Sequence, residues 1–249
     1  MLKVSVITVC YNSADTIEKT IRSVTEQEYP EIEYIIIDGK STDNTLEVIK
    51  RAALKTAKVL SEKDKGIYDA INKGISWATG DIVAILHADD FYVDKKVITK
   101  VVQVFAASET DTVYGDLQYV DRNNTAKVTR NWVSGNYNKE EFRKGWMPPH
   151  PSFFVRRKCY EKYGLFNTDF KSAADYELML RFLYKFECSA SYIPEVLVKM
   201  RIGGKSNVSF LNRIKANRED KKAWEINGLK PGRLTFIRKP LRKLGQFFK

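Results

Sequence analysis

The stretch ILHADD, Ile85 to Asp90, decides how this chain is read, because the most apolar run in the sequence ends there on a histidine and two aspartates. Ile82–Leu86 is a continuous apolar segment, the pattern of a strand covered on both faces. Burying an unpaired carboxylate costs on the order of several kcal/mol, so two adjacent ones belong where water or a cation meets them. One reading is a helix cap, since Asp-Asp before a polar–apolar pattern caps well. The other is a metal site at the mouth of a sheet.

Working back from this stretch, other polar clusters follow apolar runs. Val4–Val9 reads as a strand, and Ser13 is placed to cap a helix carrying Ile17, Ile21 and Val24 on one face. Tyr34–Ile37 reads as a second strand, ending at Asp38 and the turn-rich GKSTDNT. Leu46, Val48 and Ile49 suggest a short helix, and Lys58–Leu60 a short strand. Ile67, Ala70, Ile71, Gly74, Ile75 and Ala78 recur at helical spacing. Strands alternating with helices imply a parallel sheet covered on both faces. Tyr11 and Asn12, Asp38, Glu62 and Asp64, and His87 to Asp90 then all lie just beyond carboxyl ends of strands, where open α/β sheets bind ligands.

Working forward, the alternation weakens. Phe91–Ala106 has a helical pattern, and Thr112–Val120 reads as a strand with an embedded turn. Asn123 to Tyr137 reads as loop or hairpin. Trp146 to Pro151 is rigid and non-helical, with a short strand Ser152–Val155 after it. SAADYELMLRFLYKF is an amphipathic helix with Asp175 near its first turn. This divides the chain into residues 1–204, with halves at 1–118 and 119–204, and an extension over residues 205–249.

Composition narrows the classes. A hydrophobic content of 43% in 249 residues supports a packed core and excludes global disorder. Cys10, Cys159 and Cys188 are odd in number and lack metal-like spacing, which fits a reducing compartment. No apolar run approaches the roughly 20 residues that cross a bilayer. The amino terminus lacks the marks of a secretory signal. A cytoplasmic protein, peripheral at the inner face of a membrane, is the expectation. The charge points the same way: Lys205–Lys249 holds 13 Lys and Arg against 3 Asp and Glu, +10 of a net +11.

VSVITVCYN, IIIDGKSTDNT, DKGIYDAINKGISWATGD, ILHADD and AADYELMLR occur in one order over Val4–Ser206. In this the chain resembles the family 2 glycosyltransferases of the GT-A fold. The resemblance implies an α/β fold, a Rossmann-like, mostly parallel sheet flanked by helices, with an acceptor-side region behind it. It implies an inverting transfer of one sugar from a nucleotide-sugar donor, a UDP-hexose or UDP-HexNAc, to an acceptor hydroxyl on a glycan or lipid-linked glycan of bacterial envelope polysaccharide assembly.

The chemistry explains the residue types. The donor's diphosphate leaves with growing negative charge, which a hard cation stabilises through oxygen ligands. By resemblance Asp89 binds that metal, Mn²⁺ or Mg²⁺, and Asp175 is the base that takes the acceptor proton. Thr8, Tyr11, Asn12 and Asp38 line the nucleotide pocket, with Tyr11 against the base and Asp38 accepting from a uracil N–H. Asp64, Asn72, His87 and Ala88 complete the donor side. His150 and Arg201 form a second ring around diphosphate and acceptor, and Asp116 faces the acceptor or serves a turn.

Three departures accompany the resemblance. His87 stands where the family often has an acid, Ala174 where it often has Glu, and Gly203 and Gly204 where others place a metal-contacting His. The glycines suggest a loop that closes over the donor. A QxxRW motif is absent, which favours one sugar per encounter over processive synthesis. The tail segment FIRKPLRKLGQFFK, Phe236 to Lys249, mixes basic and apolar residues in a manner suited to an anionic membrane surface. Pro240 and Gly245 argue against one continuous helix there. No nucleic-acid-binding module is present. The alternatives are a nucleotidyltransferase, against which the lack of a Gly-rich signature in VITVCYNSADT counts, and a GT-A-fold binding protein without catalysis.

Overall fold

Alternate side chains of the central strands enter two separate cores, which is why these strands are apolar throughout rather than alternating. Ile7, Val9, Ile35, Ile37, Val83 and Ile85 face one core, and Val4, Val6, Tyr34, Ile36, Ile82 and Ala84 face the other. The structure is a computed structural model that describes residues 1–53, 57–203 and 210–242. Strands β1 (Val4–Cys10), β2 (Ile32–Asp38), β3 (Lys58–Ser61) and β4 (Ile82–Ile85) alternate with helices α1 (Ile17–Thr25), α2 (Thr45–Ala52) and α3 (Ile67–Trp77). They pair parallel in the order β3-β2-β1-β4.

The second half carries β5 (Asp90–Tyr92), α4 (Val97–Ala107), β6 (Thr112–Val120), β7 (Val128–Trp132), β8 (Phe153–Arg156), α5 (Arg157–Tyr163), α6 (Ala174–Met179) and β9 (Ala190–Arg201). The sheet continues β4-β8-β6-β9-β5, with β7 beside β6. Strand β8 is antiparallel to both β4 and β6, so β6 and β9 again run parallel to the first four strands. The carboxyl ends of β1, β2, β3, β4, β6 and β9 therefore share one edge, joined there by the amino ends of β5 and β8.

Local readings shift in four places. Helix α4 starts at Val97, because Asp90–Tyr92 pairs antiparallel with β9 instead of joining the helix. The expected turn inside β6 is a bulge at Gly115–Leu117, where the register with β9 slips. At α1 the Ser13 carbonyl, not its hydroxyl, receives the Thr16 and Ile17 N–H groups. The helix after Ala173 runs on from α6 as a π-helical turn, Leu180–Lys185.

The carboxyl-terminal segment is built into the body. Helices α7 (Phe210–Ile226) and α8 (Thr235–Arg242) pack on α6 and on the 3-10 turn Lys139–Lys144. Trp224 is fully buried and its Nε1 donates to the Tyr176 hydroxyl at 2.8 Å. Pro240 does not stop α8, which continues to Arg242. The boundary expected at 204/205, the closing role of Gly204 and the tail beyond Arg242 lie outside the described residues.

Candidate active site

The loop after β4 answers the question that ILHADD raises. The Asp90 N–H closes a turn on the His87 carbonyl at 3.0 Å. Thr20 of α1 donates its hydroxyl to the carbonyls of Ala88 and Asp90, at 3.0 and 2.7 Å, clamping the loop from beneath. The two aspartates then differ. Asp90 is buried, and burial, followed by repulsion from Asp89, pushes its carboxyl well above the usual carboxylate range, with Arg201 opposing. Asp89 sits half-buried at the mouth. Among the described residues its carboxylate makes no hydrogen bond or ion pair. Arg201, from the end of β9, donates to the Asp89 carbonyl at 2.8 Å and lies 5.2 Å over the Phe91 ring.

Beside His87 of this loop stand His150 and Asp175. His150, on the 3-10 turn His150–Ser152, places Nδ1 3.2 Å from Asp175 Oδ2. The His87 ring meets that of His150 edge-on at 5.3 Å. Burial, and then repulsion from His150, pushes His87 down to about 3, so it is neutral near pH 7. Burial pushes Asp175 up, but the His150 hydrogen bond and charge outweigh it and hold the carboxyl below its usual range. The two carboxylates differ in situation: Asp89 is half-buried with no hydrogen bond or ion pair among the described residues, and Asp175 is mostly buried and held below its usual range by His150.

The β1–β2–β3 ends form the other wall. Tyr11 is 48% exposed there. Gly39 lets Asp64 in close: a Cβ at residue 39 would stand 2.4 Å from Asp64 Oδ2 and would push that carboxylate aside. Asp64 also accepts the Gly66 N–H at 2.9 Å. Asn12, at φ +50°, accepts the Thr42 N–H at 2.8 Å, and its own N–H donates to the Ser41 hydroxyl. Asp38 is fully buried and accepts from the Ser41 hydroxyl and N–H and from the Ser61 hydroxyl. A base N–H reaches Asp38 only by displacing one of these.

A family profile described as "Glycosyl transferase family 2" matches residues 5–164. The chain belongs to glycosyl transferase family 2. An uncharacterized glycosyltransferase of Mycobacterium tuberculosis is 31% identical over 180 residues, covering 72% of this chain and 68% of its own. A PGL/p-HBAD biosynthesis glycosyltransferase of the same species is 26% identical over 219 residues, covering 84% and 83%. Among solved structures, S. aureus TarS 1-349 in complex with UDP-GlcNAc superposes with a TM-score of 0.69 at 18% identity. That match covers 91% of this chain and 65% of TarS 1-349, so the chain spans just under two thirds of that protein's length. The mannosyltransferase PcManGT from Pyrobaculum calidifontis, in complex with GDP-Man and Mn²⁺, gives 0.67 at 22% identity, covering 96% and 68%. Both share the GT-A-like fold of this family 2 chain.

Within this family 2 chain, the edge gathers Tyr11, Asp64, His87, Ala88, Asp89, His150 and Asp175, while three expected residues turn away and a fourth lies buried behind the Asp89 loop. Thr8 is fully buried and bonded to the Tyr34 hydroxyl at 3.0 Å, because its position on β1 faces the α1 side of the sheet. Asn72 exchanges two hydrogen bonds with the Phe166 backbone, 2.8 and 3.0 Å, and so ties α3 to the loop before α6. Asp116 Oδ1 accepts from Ser134 N–H and Tyr192 hydroxyl, both at 2.8 Å, which makes it a brace for the β6–β7 region rather than an acceptor contact. Arg201 reaches the site but is 5% exposed, and it braces the Asp89 loop from behind.

The structure adds residues that the sequence did not single out. Thr20 was legible as the one hydroxyl on the buried face of α1. Glu219 of α7 was not. Its carboxylate accepts the N–H groups of Lys171, Ser172 and Ala173 and the Ser172 hydroxyl, pinning the chain that leads into Asp175. Lys239 of α8 lies 3.5 Å over the Tyr176 ring and pairs with buried Asp220 at 2.7 Å.

The donor set at this edge fits a cation that takes most of its ligands from phosphates and water. Among the described residues no three His, Cys, Asp or Glu side chains converge as a ready-made metal cage. Asp89 is the carboxylate left open, and Mg²⁺-type sites need only one or two such ligands.

Proposed function

We propose that this chain is an inverting glycosyltransferase that moves one sugar from a nucleotide-sugar donor to an acceptor hydroxyl, with Asp175 as the base. The observation that carries the reading is Asp175: mostly buried, kept ionised by His150, and on the same sheet edge as the open carboxylate of Asp89. A base must be ionised at working pH and within reach of a proton.

The acceptor O–H proton passes to Asp175 as the acceptor oxygen bonds to the anomeric carbon. The bond from that carbon to the β-phosphate oxygen breaks, and its electron pair leaves with the diphosphate. A single displacement from the face opposite the leaving group inverts the centre. Asp89 would hold Mn²⁺ or Mg²⁺, which supplies Lewis-acid neutralisation of the departing diphosphate. Tyr11, with Gly39 and Asp64 beside it, lines the nucleoside end, and Ala88 and His87 the sugar end.

A UDP-hexose or UDP-HexNAc is the donor this reading favours, in line with the UDP-GlcNAc held by TarS. The acceptor class is a glycan or lipid-linked glycan of envelope polysaccharide assembly, in keeping with the name of the PGL/p-HBAD relative. Membrane proximity has a physical basis in the carboxyl-terminal segment. A groove of about 270 Å³ between the Lys139–Lys144 turn and α8 is lined by Arg143, Lys144, Arg233 and Arg238 and by one acid, Glu140, which pairs with Arg143, with Leu234 exposed beside them. Clustered cations around an apolar residue suit the anionic inner face of a membrane. No helix among the described residues is long and apolar enough to cross one.

Calorimetric binding of UDP with and without Mn²⁺ tests the donor side. Binding that tightens with metal in the wild type and not in Asp89→Ala supports the assignment. No UDP binding in either condition overturns the donor choice and moves the test to GDP and dTDP. Turnover that survives Asp175→Asn overturns Asp175 as the base.

A further inference from the structure

We infer that His150 is a second functional residue of the transfer, a positioning residue that keeps the Asp175 carboxylate aimed for proton abstraction. This rests on the reading of Asp175 as the base.

The turn that carries His150 is rigid for reasons visible in the sequence. Pro148, Pro149 and Pro151 fix three φ angles around it. Ser152 then anchors the turn to the sheet, its hydroxyl donating to the Gly115 carbonyl at 2.8 Å and its N–H to the Pro149 carbonyl at 3.2 Å. An imidazole on such a mount has little freedom to follow a moving partner, so it dictates where the partner sits. Its Nδ1 lies 3.2 Å from Asp175 Oδ2, so the proton that meets the carboxylate is the one on Nδ1. The His87 ring closes the other side edge-on. Both partners are partly exposed, His150 at 28% and Asp175 at 21%, so the pair opens on the cleft rather than filling a core.

The surroundings single out His150 among the groups that face Asp175. The Tyr68 hydroxyl of α3 stands at 3.5 Å from Oδ1, too long for a strong bond. Lys239 of α8 acts through space and is already paired with Asp220. His87 from the β4 loop and Tyr119 from β6 complete the set within electrostatic range. Among the described residues only His150 puts a side-chain donor within close hydrogen-bond distance of the carboxylate. Burial alone raises Asp175, and the net displacement is downward with His150 the leading opposing cause. Removing His150 therefore lets the carboxyl rise. During the transfer Asp175 takes the acceptor proton and later yields it to water, while His150 keeps its Nδ1 proton throughout.

The chain has two histidines, so the test is direct. Nitrogen-15 spectra of the full-length protein should show His150 as the Nδ1–H tautomer, and Asp175→Asn should redistribute it. Carbon-13 titration of Asp175 should move upward in His150→Ala. With UDP-GlcNAc as the donor probe, His150→Ala should lower kcat about 10–100-fold with KM nearly unchanged, and shift the acid limb up by about one pH unit. His150→Gln, which keeps an N–H donor, should recover part of both. An Nε2–H tautomer in the wild type, or an Asp175 titration that His150→Ala leaves in place, overturns the inference. An inactive Asp175→Asn beside a fully active His150→Ala overturns it alone, whereas an active Asp175→Asn removes the base and this role together. The wild-type tautomer and His150→Gln decide the matter even if His150→Ala fails to fold.

Discussion

Asp89 and Asp90 are neighbours in the chain and opposites in the fold. Asp90 points into the body, where desolvation favours its neutral form, and Asp89 is left half-buried at the mouth, its carboxylate in no hydrogen bond or ion pair among the described residues. A residue whose side chain supports nothing can be removed cheaply. Asp89→Ala should change stability by less than about 0.5 kcal/mol in a thermal or urea melt while abolishing the Mn²⁺ dependence of UDP binding. A large loss of stability would instead return Asp89 to the capping role that its sequence also allows.

At the scale of elements, α6 is short and its approach is held from a distance. Glu219 gathers three backbone N–H groups ahead of Asp175, the service that a capping side chain normally provides locally. Glu219→Ala should cost about 1–3 kcal/mol of stability and reduce kcat more than donor affinity, read by melting and steady-state kinetics. A second element-scale lock sits at the far edge. Glu33 of β2 accepts from Ser5, Lys58 and the Thr79 N–H and hydroxyl, tying β1, β2, β3 and the turn before β4 together. Burial raises its pKa, but Lys58, Ser5 and Thr79 outweigh this and hold it far below the ordinary value of 4.5. A depressed carboxylate stabilises above its unfolded pKa and loses that contribution as pH falls through the folded one. Glu33→Gln should therefore destabilise by about 2–4 kcal/mol at pH 7, with the gap to wild type closing below about pH 4 in urea titrations.

Over the whole molecule, the basic carboxyl-terminal segment serves two surfaces. One side of α8 carries Lys239 onto the Tyr176 ring beside Asp175, and the other offers Arg238 to the groove with Arg143 and Arg233. Deleting this segment would strip α6 of support, so charge reversal is the cleaner probe of membrane binding. Arg233→Glu with Arg238→Glu should cut sedimentation with vesicles containing phosphatidylglycerol by tenfold or more, taking about 1 kcal/mol per removed cation, and leave UDP binding unchanged. Equal binding by the variant, or equal binding of wild type to neutral vesicles, would refute the basic groove as the membrane contact.

The sequence by itself determined the parallel sheet of the first half, the edge at which its polar clusters gather, and the family. Continuous apolar runs demand two covered faces, and polar clusters after them can lie only at strand ends. The position of ILHADD, YN and Asp64 at that edge was legible for that reason, whereas Asp175 was singled out by resemblance to the family. Only the tertiary structure decided which of the clustered polar groups work at the surface and which hold the fold. Thr8, Asn72, Asp116 and Arg201 have the chemistry of site residues, but burial and partners far away in sequence bind them internally. The same holds in reverse for His150 and Glu219. Their roles depend on meeting Asp175 from 25 residues away and its approach from 46 to 48 residues away, and no periodicity or local composition records such an encounter.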